Sequence, residues 1–133
     1  MPPRSTDLTD SELEVLKALW DLGPSSVREV RDHLGAQGRD LAYTTVLTFL
    51  TRLKAKRFVS SRKTGQAYVY TPKVTRDKVS GARVRSLMEQ LFDGSPAPLV
   101  LQLVRTQRFT PEELAQLRDL LDSLDTPEGG GEA

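Results

Sequence analysis

Threonine and arginine side chains recur along one stretch of the 133-residue chain at the spacing of a helix face. At about 100° per residue, Thr44, Thr45, Thr48 and Arg52 fall on the same side of a helix. Threonine hydroxyls form hydrogen bonds to phosphates or base edges, and arginine matches a guanine edge or a phosphate. The pattern predicts a face that reads duplex DNA, and it leaves open whether Arg52 contacts a base or a phosphate.

Positive charge is concentrated around this face, although the net charge of the whole chain is only +1. Between Leu41 and Arg76 the sequence has eight Lys and Arg residues and lacks Asp and Glu entirely. Within this block Lys56, Arg62 and Lys63 are expected to neutralise phosphates, which gives affinity without reading sequence. Gln66 is expected to join them.

Residues for other kinds of chemistry are scarce. The chain has no cysteine and a single histidine, His33, which excludes thiolate metal sites and a paired nucleophile and base. We therefore predict that the protein is not an enzyme and needs no metal or cofactor. No run approaches the roughly 20 apolar residues that span a membrane, so we expect a cytoplasmic protein without membrane insertion.

Capping residues and apolar periodicity predict three helices ahead of a hairpin. Thr9 with Glu12 and Ser26 with Glu29 are capping-box pairs, which indicate helices at about 10–22 and 26–35. A third helix is predicted at about 43–57. Its opposite side is apolar and is expected to face the core through Tyr43, Val46, Leu47, Phe49, Leu50 and Leu53.

Two short runs at 58–62 and 67–71 favour strands, and the link 63–66 contains a glycine, which is typical of a hairpin. Three helices followed by a two-stranded wing is the order of a winged helix-turn-helix, in which the third helix enters the major groove.

After the hairpin the pattern is helical only. Apolar stripes occupy 84–92 and 111–124, and the segment 99–104 between them is apolar on nearly every side and is expected to be buried. One chain offers nothing more to cover these stripes, so we predict a two-fold homodimer. The predicted dimer contacts are Leu87, Leu91, Leu99, Leu103, Leu114, Leu117 and Leu121.

The predicted fold is therefore mainly α with a small β-hairpin. Residues 1–73 are expected to form a winged helix-turn-helix DNA-binding domain and 74–125 a C-terminal helical dimerisation domain. The segment 126–133 is expected to be a disordered tail.

Two stretches of the sequence resemble the penicillinase-repressor family of BlaI and MecI type. They are LTDSELEVLKALWDLGPSSVREV and DLAYTTVLTFLTRLKAKRFV, the second followed by a hairpin ending in YVYTP, and the resemblance covers about 7–124. It implies a homodimeric repressor of β-lactam-response genes on a pseudo-palindromic operator. It carries the recognition positions onto Thr44, Thr45, Thr48 and Arg52 and the wing onto Arg62, Lys63 and Gln66.

The resemblance also implies a switch, in which a membrane sensor protease cleaves the dimerisation helices between Asn and Phe. The matching stretch here is Val100-Leu101-Gln102-Leu103-Val104, so Gln102 and Leu103 form the candidate cleavage pair. This departure argues against release by the same cleavage, and the absence of cysteine excludes the copper-responsive cysteine motif. Alternatives at this point are an activator or ligand-gated regulator on the same fold, or a winged helix used for protein or RNA contacts.

Overall fold

The computed structural model describes residue 4 and residues 7–125, and the predicted tail at 126–133 lies outside them. The order of three helices, a hairpin and three further helices is confirmed, and the fold is a winged helix-turn-helix followed by helices. The elements are α1 (Asp10–Leu22), α2 (Val27–Ala36), α3 (Tyr43–Ala55), β1 (Val59–Thr64), β2 (Ala67–Pro72), α4 (Arg76–Phe92), α5 (Pro96–Thr106) and α6 (Pro111–Leu124).

Three helices begin at reciprocal capping boxes. In each, a hydroxyl accepts a hydrogen bond from the backbone of a glutamate three residues later, and the glutamate carboxylate accepts one in return, which satisfies two helix N–H groups. The pairs are Thr9 with Glu12 in α1, Ser26 with Glu29 in α2, and Thr110 with Glu113 in α6. These helix starts are set locally, which is why the sequence predicted them.

The third helix ends earlier than predicted, at Ala55. The N–H of Phe58 donates to the carbonyl of Leu53 at 2.9 Å, and the N–H of Arg57 donates to the carbonyl of Lys54 at 3.0 Å. Arg57 has a φ of 71°, the left-handed conformation in which this C-terminal motif usually places glycine. The chain therefore turns sharply out of α3 and directs Phe58 into the core.

One hydrophobic core joins α1, α2, α3 and the base of the hairpin. Its members include Leu16 and Leu19 of α1, and α4 contributes Val79. The predicted inner side of α3 is confirmed at Val46, Leu50 and Leu53, which are buried.

Tyr43 was expected in the core, and this prediction is wrong. Its side chain is 44% exposed. It is the first residue of α3, and the buried residues of this helix begin at Val46.

The hairpin is longer and tighter than predicted. Lys63 and Thr64 belong to β1 and not to the loop, which leaves Gly65 and Gln66 as the turn. Gly65 has a φ of 65°, as two-residue hairpin turns require. A bridge between Ser25 and Tyr70 ties β2 to the start of the helix-turn-helix.

The three C-terminal helices leave their apolar faces open. α4 contacts α5. The expectation that α5 is buried is not met within one chain, since its leucines and valines between 100 and 104 are exposed. The described chain therefore buries one core, around the winged helix, and exposes a second apolar surface on α4, α5 and α6.

Candidate nucleic-acid interface

The outer face of α3 presents the predicted reading residues to solvent. Thr44, Thr48 and Arg52 are exposed, and Thr45 is half-buried. Val46, Leu50 and Leu53 on the opposite side are buried, so the helix is held by one face and free on the other. A helix mounted in this way can enter a groove without losing its own support.

The threonine hydroxyls are already oriented within the helix. Thr48 Oγ1 donates to the carbonyl of Thr44 at 2.9 Å, and Thr51 Oγ1 donates to the carbonyl of Leu47 at 2.8 Å. Such back-bonding uses the hydroxyl proton and leaves the oxygen lone pairs and the methyl group outward. Thr48 is thus suited to accept a hydrogen bond from a base amine or to contact a thymine methyl.

Arg52 is held over an aromatic ring. Its Cζ lies 5.8 Å from the centroid of the Phe49 ring, within the range of a cation–π contact. Phe49 is half-buried against the core. The guanidinium is therefore directed along the outer face of α3, where its planar fork can meet a base edge or a phosphate.

Lys56, which was expected to contact phosphate, is paired within the chain. Its Nζ donates to Glu12 Oε1 and to the carbonyl of Asp7, each at 2.7 Å. The Glu12 side chain is 1% exposed and that of Lys56 is 33% exposed. Burial raises the pKa of Glu12, but the hydrogen bond and charge of Lys56 and the bonds to Thr9 outweigh it and hold the pKa below 4.5. This ion pair joins the end of α3 to the start of α1.

The basic residues of the wing lie on two different faces. Lys63 is directly opposite Tyr68, and both share the face whose inner part, at Val59 and Tyr70, is buried. Arg62 is opposite Val69 on the other face. Lys63 therefore lies on the core-side face of the wing and Arg62 on its outer face, while Gln66 is in the exposed turn.

Three tyrosines lie at the start of α3 and on β2 of the wing. Tyr70 is 6% exposed, whereas Tyr43 and Tyr68 are 44% and 51% exposed. Burial raises the pKa of Tyr70, and electrostatic coupling to Tyr43 and to Tyr68 adds to the rise. Sequence reasoning missed Tyr68, although its alternation with Tyr70 along β2 is the signal that could have identified it.

A polar junction attaches α4 to α1. Trp20 Nε1 donates to the carbonyl of Val74 at 2.9 Å, and the Arg76 Cζ lies 5.3 Å from the Trp20 ring centroid. Arg76 also pairs with Asp21 at 3.1 Å. The junction links the winged helix to the C-terminal helices, and sequence reasoning did not identify it because its members are far apart in the chain.

The predicted dimer contacts lie on the open apolar surface. Leu99 is half-buried and the other six are at least 37% exposed. The candidate cleavage pair Gln102 and Leu103 is exposed within α5.

Within the described residues, no group of three or more His, Cys, Asp or Glu side chains is placed to hold a metal ion. None of the helices described is long and apolar enough to cross a membrane.

The sequence is similar to that of a known protein family and of several of its members. The family model described as penicillinase repressor matches 8–123. The transcriptional regulator BlaI of Mycobacterium tuberculosis is 36% identical over 126 residues, which are 93% of this chain and 89% of that protein. The penicillinase repressor of Bacillus licheniformis is 26% identical over 115 residues, covering 86% and 89% of the two chains.

Among solved structures, a mutant MarR from E. coli complexed with operator DNA is 18% identical, with a TM-score of 0.47 over 91% of this chain and 78% of that chain. The assignment rests on the family model and the sequence relatives. These are transcriptional regulators and not enzymes, as the sequence predicted. The chain belongs to the penicillinase repressor family.

Proposed function

We propose that this protein is a homodimeric transcriptional repressor that binds a pseudo-palindromic operator controlling β-lactam-response genes. The observation that carries the proposal is the outer face of α3, exposed at Thr44, Thr48 and Arg52 beside a hairpin with exposed basic residues. The names of the relatives, a BlaI regulator and a penicillinase repressor, supply the class of target gene. A repressor must reach the chromosome, so the proposal includes a cytoplasmic location.

In this proposal α3 lies in the major groove and reads bases through Thr44, Thr45, Thr48 and Arg52. Thr45 reaches the groove only with its outer part because it is half-buried. The back-bonded hydroxyl of Thr48 makes it an acceptor and a methyl contact, which favours adenine, cytosine or thymine edges over the acceptor edge of guanine. Arg52, directed by Phe49, takes the guanine edge or the adjoining phosphate.

Lys63 and Arg62 neutralise phosphates from the two faces of the wing, and Gln66 adds a neutral contact from the turn. Lys56 is left out of this set, because its ammonium donates to Glu12 and to the carbonyl of Asp7. The logarithm of the binding constant falls linearly with the logarithm of the salt concentration, and each neutralised phosphate contributes about −0.9 to that slope. The wing therefore supplies affinity that is independent of sequence.

The test is titration of labelled promoter duplex at several salt concentrations. Lys63→Ala is expected to lower affinity evenly for operator and mixed-sequence DNA and to reduce the salt slope by about one per subunit. The matched control is Lys17→Ala, which removes an exposed lysine of α1 outside the basic block. Arg52→Ala is expected to weaken operator binding. Failure of the unaltered protein to bind any duplex would refute the repressor function.

The open apolar surface of α4, α5 and α6 supports the dimer. Twelve leucine and valine side chains on these helices are at least 37% exposed in one chain. A surface of this size on a monomer is unfavourable in water, and a second copy covers it with an identical surface. A two-fold dimer then presents two α3 helices to half-sites one helical turn or a multiple of it apart.

Sedimentation tests the dimer directly. Leu117→Asp places a charge within the apolar stripe of α6 and is expected to give monomers that lose tight operator binding. Gln116→Asp is the matched control, because it adds the same charge one position away on the same exposed helix. A stable dimer in the Leu117 variant would move the interface elsewhere.

If a membrane sensor protease releases the repressor, its candidate site is Gln102 and Leu103, which stand where the resemblance implies an Asn–Phe bond. The bond between them lies inside α5, so cleavage first requires that the helix unwind locally. Mass spectrometry of the protein recovered from β-lactam-treated cells tests this step. An intact chain at full induction would refute proteolytic release and favour a ligand or another signal.

A further inference from the structure

The strip between the start of α3 and the core-side face of the wing has a chemistry that the reading residues do not use. It combines two exposed phenols, Tyr43 and Tyr68, with the ammonium of Lys63 directly across the strands from Tyr68. Tyr70 follows Tyr68 on the same face of β2 and is buried, and it couples electrostatically to both exposed phenols. Tyrosine is enriched at interfaces, because its ring packs against apolar groups while its hydroxyl forms a hydrogen bond with a partner.

We propose that Tyr43 and Tyr68 donate their phenolic hydrogens to backbone phosphates of the operator, forming with Lys63 a phosphate clamp beside the reading helix. The inference rests on the proposed DNA binding and deepens it. The name phosphate clamp refers to these three residues.

Charge and position both favour phosphate as the acceptor. The strip belongs to the block from Leu41 to Arg76, which lacks Asp and Glu, so no carboxylate of the block competes for the phenolic protons. Tyr43 is the first residue of α3, where the positive end of the helix dipole favours an anion. Groups that flank a helix inserted in the groove meet the sugar–phosphate walls, and tyrosine is among the side chains that bond to phosphate oxygens.

A neutral donor leaves a distinctive signature in salt titrations. A lysine that neutralises a phosphate releases counterions, whereas a phenol that donates to a phosphate releases none. Removal of the phenolic oxygen therefore lowers affinity without altering the salt slope. The same removal affects operator and mixed-sequence duplex equally, because the phosphate backbone is common to both.

The experiment uses Tyr43→Phe, Tyr68→Phe and the double variant in the full chain, titrated against operator and mixed-sequence duplexes at several salt concentrations. Each single change is expected to lower affinity about fivefold per subunit, the size of one hydrogen bond at an interface, with an unchanged salt slope. Tyr70→Phe is the matched control, since it deletes the same atom from a buried ring and is expected to bind normally. Thermal melting verifies that each variant is folded.

Three results would overturn the clamp. Unchanged affinity of the double variant would show that the phenols do not touch DNA, while binding by the unaltered protein would keep the repressor function intact. A loss confined to operator duplex would assign the phenols to bases. An equal loss in Tyr70→Phe would show that the effect comes from packing of the wing.

Discussion

Replacing Lys56 with methionine tests how the C-terminal end of α3 is held. Methionine keeps most of the aliphatic stem and removes the ammonium that donates to Glu12 Oε1 and the carbonyl of Asp7. The buried Glu12 carboxylate then keeps the hydrogen bond from the N–H of Thr9 but loses its cationic partner. Breaking a buried pair in this way costs roughly 3 kcal/mol of unfolding free energy, the low end of the range, because Lys56 is one-third exposed.

A double-mutant cycle isolates the pair itself. Glu12→Gln keeps an acceptor for the Thr9 N–H and is expected to cost about 2 kcal/mol through loss of the charge-assisted bond. If the two residues act as a pair, the double variant loses about 2 kcal/mol less unfolding free energy than the sum of the two single losses. Urea unfolding measures these free energies. Lys54→Met, an exposed lysine of the same helix, is the control and should change stability by less than about 0.5 kcal/mol.

The pH dependence has a definite sign. The folded protein holds the pKa of Glu12 below 4.5, so the pair contributes stability above the unfolded value and loses it as pH falls through the folded pKa. In Lys56→Met burial dominates and the pKa of Glu12 rises. The stability gap between the two proteins should therefore be widest above the raised pKa of the variant, narrow as pH falls through it, and close below the lowered pKa of the unaltered protein.

Additive losses in the cycle, within about 0.5 kcal/mol, would refute the coupling of α3 to α1. A reduced salt slope of DNA binding in folded Lys56→Met would refute the internal role and return Lys56 to the phosphate contacts.

Three further changes test single features of the fold. Arg57→Gly should be about 1 kcal/mol more stable than Arg57→Ala, because both lose the side chain and only glycine relieves the left-handed backbone; equal melting temperatures would contradict this. Gly65→Ala should cost roughly 1 kcal/mol because φ is 65° in the wing turn, and an unchanged urea midpoint would show that the turn relaxes. Trp20→Phe keeps a ring beneath Arg76 and removes the donor to the Val74 carbonyl, so about 1 to 2 kcal/mol should be lost in chemical unfolding; full stability would show that this bond does not hold the junction.

Local patterns predicted much of the site. The amphipathic period of α3 separated Val46, Leu50 and Leu53 from Thr44, Thr48 and Arg52, and the structure buries the first set and exposes the second. A helical period reports faces well in the middle of a helix, where neighbours on both sides pack. It misplaced Tyr43, because the period continues to the first residue of the helix whereas the buried residues of α3 begin at Val46.

The sequence by itself determined where the capped helices begin, which side of α3 is polar, and that positive charge gathers around α3 and the hairpin. These follow from interactions between residues three or four apart and from charge counted along the chain. Only the tertiary structure decided which of these charges are paired within the chain. Lys56 meets Glu12 across 44 residues and Trp20 meets the Val74 carbonyl across 54, and contacts at such separations depend on how the helices pack. The pleat of the paired strands likewise placed Lys63 beside Tyr68 and Arg62 on the opposite face.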